Sequence, residues 1–415
     1  MNNKIYFDHS ATTPVLSEVA EEMNRYYIDE WGNPSSLYQT GQSVKIKVDE
    51  ARAKVADAIG ADPKEIVFSG SGTEADNYAI KGAYRAKLKK GNHIICFGLE
   101  HPAVIEPCKY LEKKEGAEVT YVYPDKTGVL DSDAIEEAIT DKTILITVMM
   151  ANNVIGTIQP IKEISKIARD HKITFHTDAV QAVGNIKVDV DELGIDLLSM
   201  SAHKFHGPKG VGALYVRKGM SLNTLIHGGS QERGRRSGTE NVAGIIGLSR
   251  ALEIANKEID FKKEHLSRLR DRVVKGVLDN IPDVSYIGDT KKRLPGNACF
   301  SFKYIEGESL VLHLDMAGIA TSSGSACSSK SLEPSHVLLG IGMSAVEAHG
   351  SLRVTLGRSS TEEEVDEFLE VLPGVVDRLR QMSPFNAEKE EEYLDETEDH
   401  NIAHEHPDQH FSAES

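Results

Sequence analysis

The sequence predicts an α/β fold: a large domain with a mainly parallel seven-stranded sheet flanked by helices, plus a smaller α+β domain. Three observations predict it. Between about residues 60 and 216, seven short apolar runs alternate with amphipathic stretches. The runs are apolar almost throughout instead of alternating with polar residues, the pattern of strands covered on both faces. At 415 residues and 40% hydrophobic content, the chain is long enough to build two cores.

The runs fall at 66–68, 93–97, 119–122, 144–149, 173–177, 196–200 and 212–216. Helical patterns at 73–90, 103–115 and 161–171 separate some of them. A parallel arrangement binds ligands at the carboxyl ends of its strands, and most of the unusual residues follow directly after a run. A long helix is expected over 239–257. The smaller domain then reads as a helix at 261–278, strands at 284–287 and 297–303, a helix at 309–316, a Ser-rich loop, a strand at 351–356 and a helix at 361–382. The expected boundaries are 14–258 for the large domain and 1–13 with 259–385 for the smaller one. The smaller domain carries a mobile loop at about 322–334. Residues 386–415 form an acidic, histidine-containing tail expected to be disordered.

The net charge is −17, which argues against a nucleic-acid partner. Much of it lies between Glu388 and Ser415, where eleven acids face the single Lys389. No apolar run approaches the roughly 20 residues of a membrane helix. The chain opens Met1-Asn2-Asn3-Lys4 without a charged, apolar, cleavable leader, so a cytoplasmic enzyme is expected.

The cysteines are Cys96, Cys108, Cys299 and Cys327, with no Cys-x-x-Cys pair, so no metal site and no disulfide framework are expected. Cys96 and Cys299 sit in apolar runs and read as buried. Cys327 stands among Ser322, Ser323, Gly324, Ser325, Ala326, Ser328 and Ser329, where a thiol is accessible and free to move. Alone, the same segment reads equally as an incidental loop.

Three further signals point to one cofactor. Ser201-Ala202-His203-Lys204 ends a buried run, and an amine there is placed to form a Schiff base, although a lone lysine is more often a surface cation. His176-Thr177-Asp178 ends the preceding run, and a carboxylate at that depth needs a cationic partner such as a protonated pyridine nitrogen. The run at 66–68 enters Ser69-Gly70-Ser71-Gly72-Thr73-Glu74 and then a helix, a strand–turn–helix anion site suited to phosphate. Phosphate anchor, ring-nitrogen carboxylate and Schiff-base lysine thus occur in chain order at strand ends.

With these residues in view, the sequence resembles the cysteine desulfurases of the NifS/IscS type, in the class V aminotransferase group of fold-type I enzymes that use pyridoxal 5'-phosphate. The resemblance runs from Tyr6-Phe7-Asp8-His9-Ser10-Ala11-Thr12-Thr13-Pro14 to about Pro384. It includes Gly72-Thr73-Glu74-Ala75-Asp76-Asn77, Glu100-His101, Asn152-Asn153, Glu232-Arg233-Gly234, Arg236-Ser237-Gly238-Thr239, Ser322 to Cys327, Leu332-Glu333-Pro334 and Leu352-Arg353. It departs from the usual pattern at Gly70-Ser71, where Ser then Gly is commoner, and at His9, where Asn is commoner.

The resemblance implies that Lys204 holds the cofactor and Cys327 takes the sulfur. It implies that Gly72, Thr73, Ser201 and His203 surround the phosphate, while Thr239 reaches the phosphate of a second subunit in a homodimer. Asp178 would pair with the ring nitrogen, Gln181 with the ring hydroxyl, and His101 would stack on the ring and move protons near its ordinary pKa of about 6.5. Asn153 and Arg353 would hold the substrate carboxylate, a planar guanidinium gripping it through two parallel bonds. The implied reaction converts L-cysteine to L-alanine with the sulfur left as a persulfide on Cys327, bound for acceptor proteins such as an iron–sulfur scaffold. The competing readings are a selenocysteine lyase of the same fold, a plain aminotransferase, and a non-catalytic sulfur-carrying assembly subunit.

Overall fold

The computed structural model describes residues 5–324 and 334–384. Cys327 and the tail lie outside the described residues. The strands, in chain order, are β1 (Ile5–Tyr6), β2 (Ile66–Ser69), β3 (His93–Phe97), β4 (Glu118–Val122), β5 (Thr143–Thr147), β6 (Thr174–Asp178), β7 (Leu197–Ser201) and β8 (Gly212–Val216). They are followed by β9 (Val284–Ile287), β10 (Asn297–Phe302), β11 (Ile319–Ala320) and β12 (Ser351–Thr355). The helices α1 (Ser17–Ile28), α2 (Gln39–Asp57), α3 (Gly72–Lys87) and α4 (Pro102–Glu115) precede or separate the first strands.

The central sheet has the order β2-β8-β7-β6-β5-β3-β4. All its pairings are parallel except those of β8, which runs antiparallel to both β2 and β7. Strands β2, β3, β5, β6, β7 and β8 are buried at every residue, while the edge strand β4 alternates exposed and half-buried positions before Val122. Strand periodicity sorts the side chains between two apolar layers. Ile66, Phe68, Ile95, Phe97, Phe175 and Met200 join one layer with α1, α2 and the helix Val242–Lys257. Val67, Ile94, Cys96, Leu145 and Leu214 join the other with α3 and α4. Each large apolar side chain buried in this way contributes about 1.5–3 kcal/mol relative to exposure.

A third cluster unites Phe300, Phe302, Leu352 and Val354 with the helices Ile259–Asn280 and Glu362–Met382. The N-terminal residues Ile5 and Phe7 belong to it, and β1 pairs in parallel with β11 through Ile5 and Ile319. Helix starts are set by local chemistry. Thr361 and Glu364 form a reciprocal capping box, and Asn241 caps the helix beginning at Val242, three residues later than the sequence pattern suggests. Among the described residues, no helix is long and apolar enough to cross a membrane.

Candidate active site

The reversal of β8 builds the site. Ser69 at the end of β2 pairs with Gly212, and Gly212 pairs with Ser201 at the end of β7. The turn 70–73 and the turn Ala202–Lys204 therefore leave from the two strands that flank one glycine. A Cβ on Gly212 would stand 2.7 Å from the backbone of both Ser71 and Met200, so no side chain fits there.

At the first turn, Ser71 Oγ accepts the Glu74 N–H at 3.1 Å, while Glu74 Oε2 accepts the Gly70 N–H at 2.9 Å. The Gly70-Ser71 order thus places a hydroxyl at the cap. Among the described residues, the N–H groups of Gly72 and Thr73 have no acceptor in the chain. Gly72 packs against Ser201 and Val180: a Cβ there would meet Ser201 Cβ at 3.2 Å and Val180 Cγ2 at 2.8 Å. Free N–H groups at the start of α3, with a hydroxyl across from them, form an anion cradle that needs glycine.

At the second turn, Lys204 Nζ donates to Ser10 O at 2.6 Å and Ala11 O at 2.9 Å. His203 Nδ1 lies 3.1 Å from Thr12 Oγ1. Burial, then the charges of Lys204 and Lys209, push the His203 imidazole down to about 4. Gln181 Nε2 donates to the same Ser10 carbonyl at 2.9 Å. The N-terminal segment 8–12 is therefore a wall of the site built from backbone carbonyls and a hydroxyl.

Asp178 ends β6, and its Oδ1 accepts the Val180 N–H at 2.8 Å. Burial raises its carboxyl to about 6, against the Val180 bond and the Lys204 charge, which lower it. It has no ion-pair partner among the described residues, as a carboxylate awaiting a cation requires. Two more buried acids lie behind it. Burial and the charge of Asp178 hold both Asp76 and Glu100 well above the usual carboxylate range. An anion cradle, an unpaired buried carboxylate and an amine at adjoining strand ends fit the phosphate, ring nitrogen and carbonyl carbon of pyridoxal phosphate.

His101 caps α4, its Nδ1 accepting the Ala103 N–H at 3.1 Å, with Pro102 next in the helix. Burial, then the charges of Lys204 and His336, lower its pKa to about 4, so the expectation of an imidazole near 6.5 is corrected. The neutral ring accepts at Nδ1 and so carries its proton on Nε2.

Arg353 lies on β12, buried, and donates through Nη1 to Asn153 O at 3.0 Å and through Nη2 to Asp8 Oδ1 at 2.8 Å. Its Nε is buried with no partner among the described residues. Asn152 shapes the turn that presents Asn153, its Oδ1 accepting the N–H groups of Val154 and Ile155. The Ser-rich segment is rooted beside these groups. Ser322 exchanges backbone hydrogen bonds with Arg353, at 3.1 and 2.6 Å. Past the segment, His336 Nε2 lies 2.9 Å from the carbonyl of Glu100, next to His101. Thr239 is exposed, beyond the loop Gln231–Gly234.

Asp8, Ser10, Thr12 and Gly212 were not singled out by side-chain reasoning. The signals available were the motif from Tyr6 to Pro14, in which the first three stand, and a glycine opening an otherwise apolar strand.

The chain is similar to known proteins over most of its length. The family model "Aminotransferase class-V" matches residues 5–368. A cysteine desulfurase IscS of Dictyoglomus turgidum is 53% identical over 388 residues, covering 94% of this chain and 98% of its own. A solved NifS-like protein superimposes with a TM-score of 0.86 at 38% identity, covering 91% of this chain and all of its own. A solved structure of SspA in complex with cysteine gives 0.75 at 36% identity, covering 85% of this chain and 99% of its own.

Proposed function

The chain belongs to the class-V aminotransferase family and is a pyridoxal-phosphate-dependent cysteine desulfurase, and we propose the following roles for its residues. Lys204 holds the cofactor. Gly72, Thr73, Ser201 and His203 bind its phosphate, Asp178 its ring nitrogen and Gln181 its ring hydroxyl. Asn153 and Arg353 bind the carboxylate of L-cysteine.

When bound, the cofactor supplies an electron sink for the substrate α-carbon. Lys204 Nζ takes the α-proton. His101 is poorly suited to that task, because its Nδ1 is engaged by Ala103 and its Nε2 already carries a proton; it serves as a donor through Nε2–H instead. The thiolate of Cys327 then attacks the substrate sulfur. An S–S bond forms and the C–S bond breaks, its electron pair remaining on the three-carbon fragment. That fragment regains the α-proton from Lys204, takes a second proton, the one lost by the Cys327 thiol, at the carbon that carried the sulfur, and leaves as L-alanine, while the sulfur stays on Cys327 as a persulfide. Acceptor proteins, an iron–sulfur scaffold among them, receive it.

The observation that carries this reading is convergence. Lys204, Gln181 and Arg353 all bond to the segment 8–11, and the Ser-rich segment leaves from Arg353 and returns beside Glu100. A homodimer is supported by exposed apolar residues at and beyond the end of α1, with Trp31 69% and Leu37 94% exposed and Tyr27, Ile28 and Tyr38 exposed with them. In it, Thr239 of one copy faces the phosphate of the other.

The test is incubation with L-cysteine and a reductant, measuring alanine and sulfide. Wild type yields them in equal amounts, and Lys204→Ala and Cys327→Ala yield neither. Alanine production untouched by both substitutions overturns the reading.

A further inference from the structure

The segment between β8 and the helix Val242–Lys257 carries an unusual backbone. Glu232 and Arg233 stand side by side at φ 47° and 58°, a left-handed conformation that non-glycine residues rarely adopt. Such strain persists where the surroundings over-determine it.

They do so here. Glu232 is buried, and its carboxylate receives both arms of Arg52, Nη1 to Oε2 at 2.6 Å and Nη2 to Oε1 at 2.7 Å. Glu232 Oε2 also accepts the Phe68 N–H at 3.0 Å, and Arg52 Nη1 also donates to Ile66 O at 3.0 Å. Four residues on, Arg236 Nε donates to Glu74 Oε1 at 2.8 Å, and the other oxygen of Glu74 holds the Gly70 N–H. Both clamps therefore end on β2 and on the turn that forms the anion cradle. Beyond them the chain passes Gly238, at φ 107°, and reaches exposed Thr239. A buried ion pair contributes little net stability, because desolvation offsets its attraction, and an aliphatic pair would fill the same space. What an aliphatic pair lacks is a fixed geometry satisfying four bonds at once.

We propose that Glu232 is a positioning residue: clamped by Arg52, it fixes the strained bend that aims Thr239 at the cofactor phosphate of a second copy. Cofactor retention in each copy then depends on a clamp in the other. This rests on the reading of Thr239 given above.

The test uses the full-length holo-homodimer and compares Glu232→Gln, Thr239→Val and their double variant. Cofactor dissociation constant, dimer mass and thermal midpoint after cofactor removal are measured. Each single variant is expected to weaken cofactor binding about tenfold or more at unchanged dimer mass, and the double variant no further, because both remove one interaction. Thr239→Val weakening binding while Glu232→Gln leaves it unchanged overturns the proposal alone, as do effects that multiply in the double variant. Thr239→Val without effect overturns the reading of Thr239 itself, and the proposal with it. If Glu232→Gln does not fold, Arg52→Lys, which keeps the charge beside Glu232 but loses one arm of the clamp, replaces it in the same cycle with the same expected non-additivity.

Discussion

Lys204 and Gln181 donate to one acceptor, the backbone carbonyl of Ser10, at 2.6 and 2.9 Å. The amine is thereby tied to a segment 194 residues away in sequence, with Ala11 O as its second acceptor. The two donors are not equivalent. Gln181→Leu removes one hydrogen bond worth about 1 kcal/mol, and Lys204 keeps both acceptors. Alanine production should fall by roughly fivefold in that variant, as that energy implies, and by more than about a thousandfold in Lys204→Ala. Initial rates with saturating L-cysteine distinguish the two.

Asp178 makes the cofactor-free protein sensitive to pH. Its carboxyl is raised to about 6 by burial, from an ordinary value near 3.8. Between these values the native state binds more protons than the unfolded chain, so stability falls as pH rises through this window. Asp178→Asn removes that loss. Without cofactor, the variant should match wild type at pH 4 and exceed it at pH 7.5, by on the order of 1–3 kcal/mol. Urea unfolding at the two pH values checks the sign. In the cofactor-bound enzyme the same substitution should lower activity by at least about a hundredfold, because the ring nitrogen loses its carboxylate.

Gly72 separates binding from folding. Alanine is the better helix former by about 0.5–1 kcal/mol, yet its Cβ would enter the space between Ser201 and Val180. Gly72→Ala should unfold within about 1 kcal/mol of wild type while binding cofactor roughly tenfold more weakly or worse, an effect of about 1.4 kcal/mol. Gly212→Ala is the contrast, since there the clash is with backbone on both sides and stability itself drops. Chemical denaturation beside equilibrium dialysis of the cofactor resolves both.

His101 should stay neutral across the physiological range. Its pKa, lowered to about 4 by burial and neighbouring charge, leaves the native protein with fewer bound protons than the unfolded chain between about 4 and 6.5. The ring therefore contributes stability above pH 6.5 that is lost as the pH falls toward 4. Titration of the ring resonances by NMR in the cofactor-free protein is expected to give a midpoint below 5. A midpoint near 6.5 would contradict the burial seen here.

Arg353→Lys should raise the KM for L-cysteine by about tenfold or more, with a smaller change in kcat. One ammonium cannot hold Asn153 O and Asp8 Oδ1 and still present an in-plane donor to the substrate carboxylate. Steady-state kinetics of alanine release separates the two constants.

Much of this was legible in the chain itself. Six of the seven apolar runs mark central strands because burial on both faces removes polar positions, the run at 119–122 being the edge strand β4 with one face exposed, and the turns at Gly72 and Lys204 stand out because they follow those runs. Strand direction was not legible. Nothing in the residues 212–216 distinguishes an antiparallel β8, since side-chain periodicity is the same in either sense. The wall at Ser10 and Ala11 also escaped side-chain reasoning, because it acts through carbonyls that every residue possesses. The pKa of His101 depends on its neighbours from residues 204 and 336, a fact of packing. The Arg52–Glu232 clasp joins residues 180 apart, and neither is unusual by itself.

The row Ser69–Gly212–Ser201 has a consequence for biosynthesis. The strand that joins the anion turn to the amine turn is the last of the central sheet to be made. A growing polypeptide that has emerged only as far as residue 211 possesses both turns but not the strand between them. Pairings over such long sequence separations form late. Vitamin capture therefore waits for that final strand to slot in, and a ribosome-bound fragment ending before it should stay colourless.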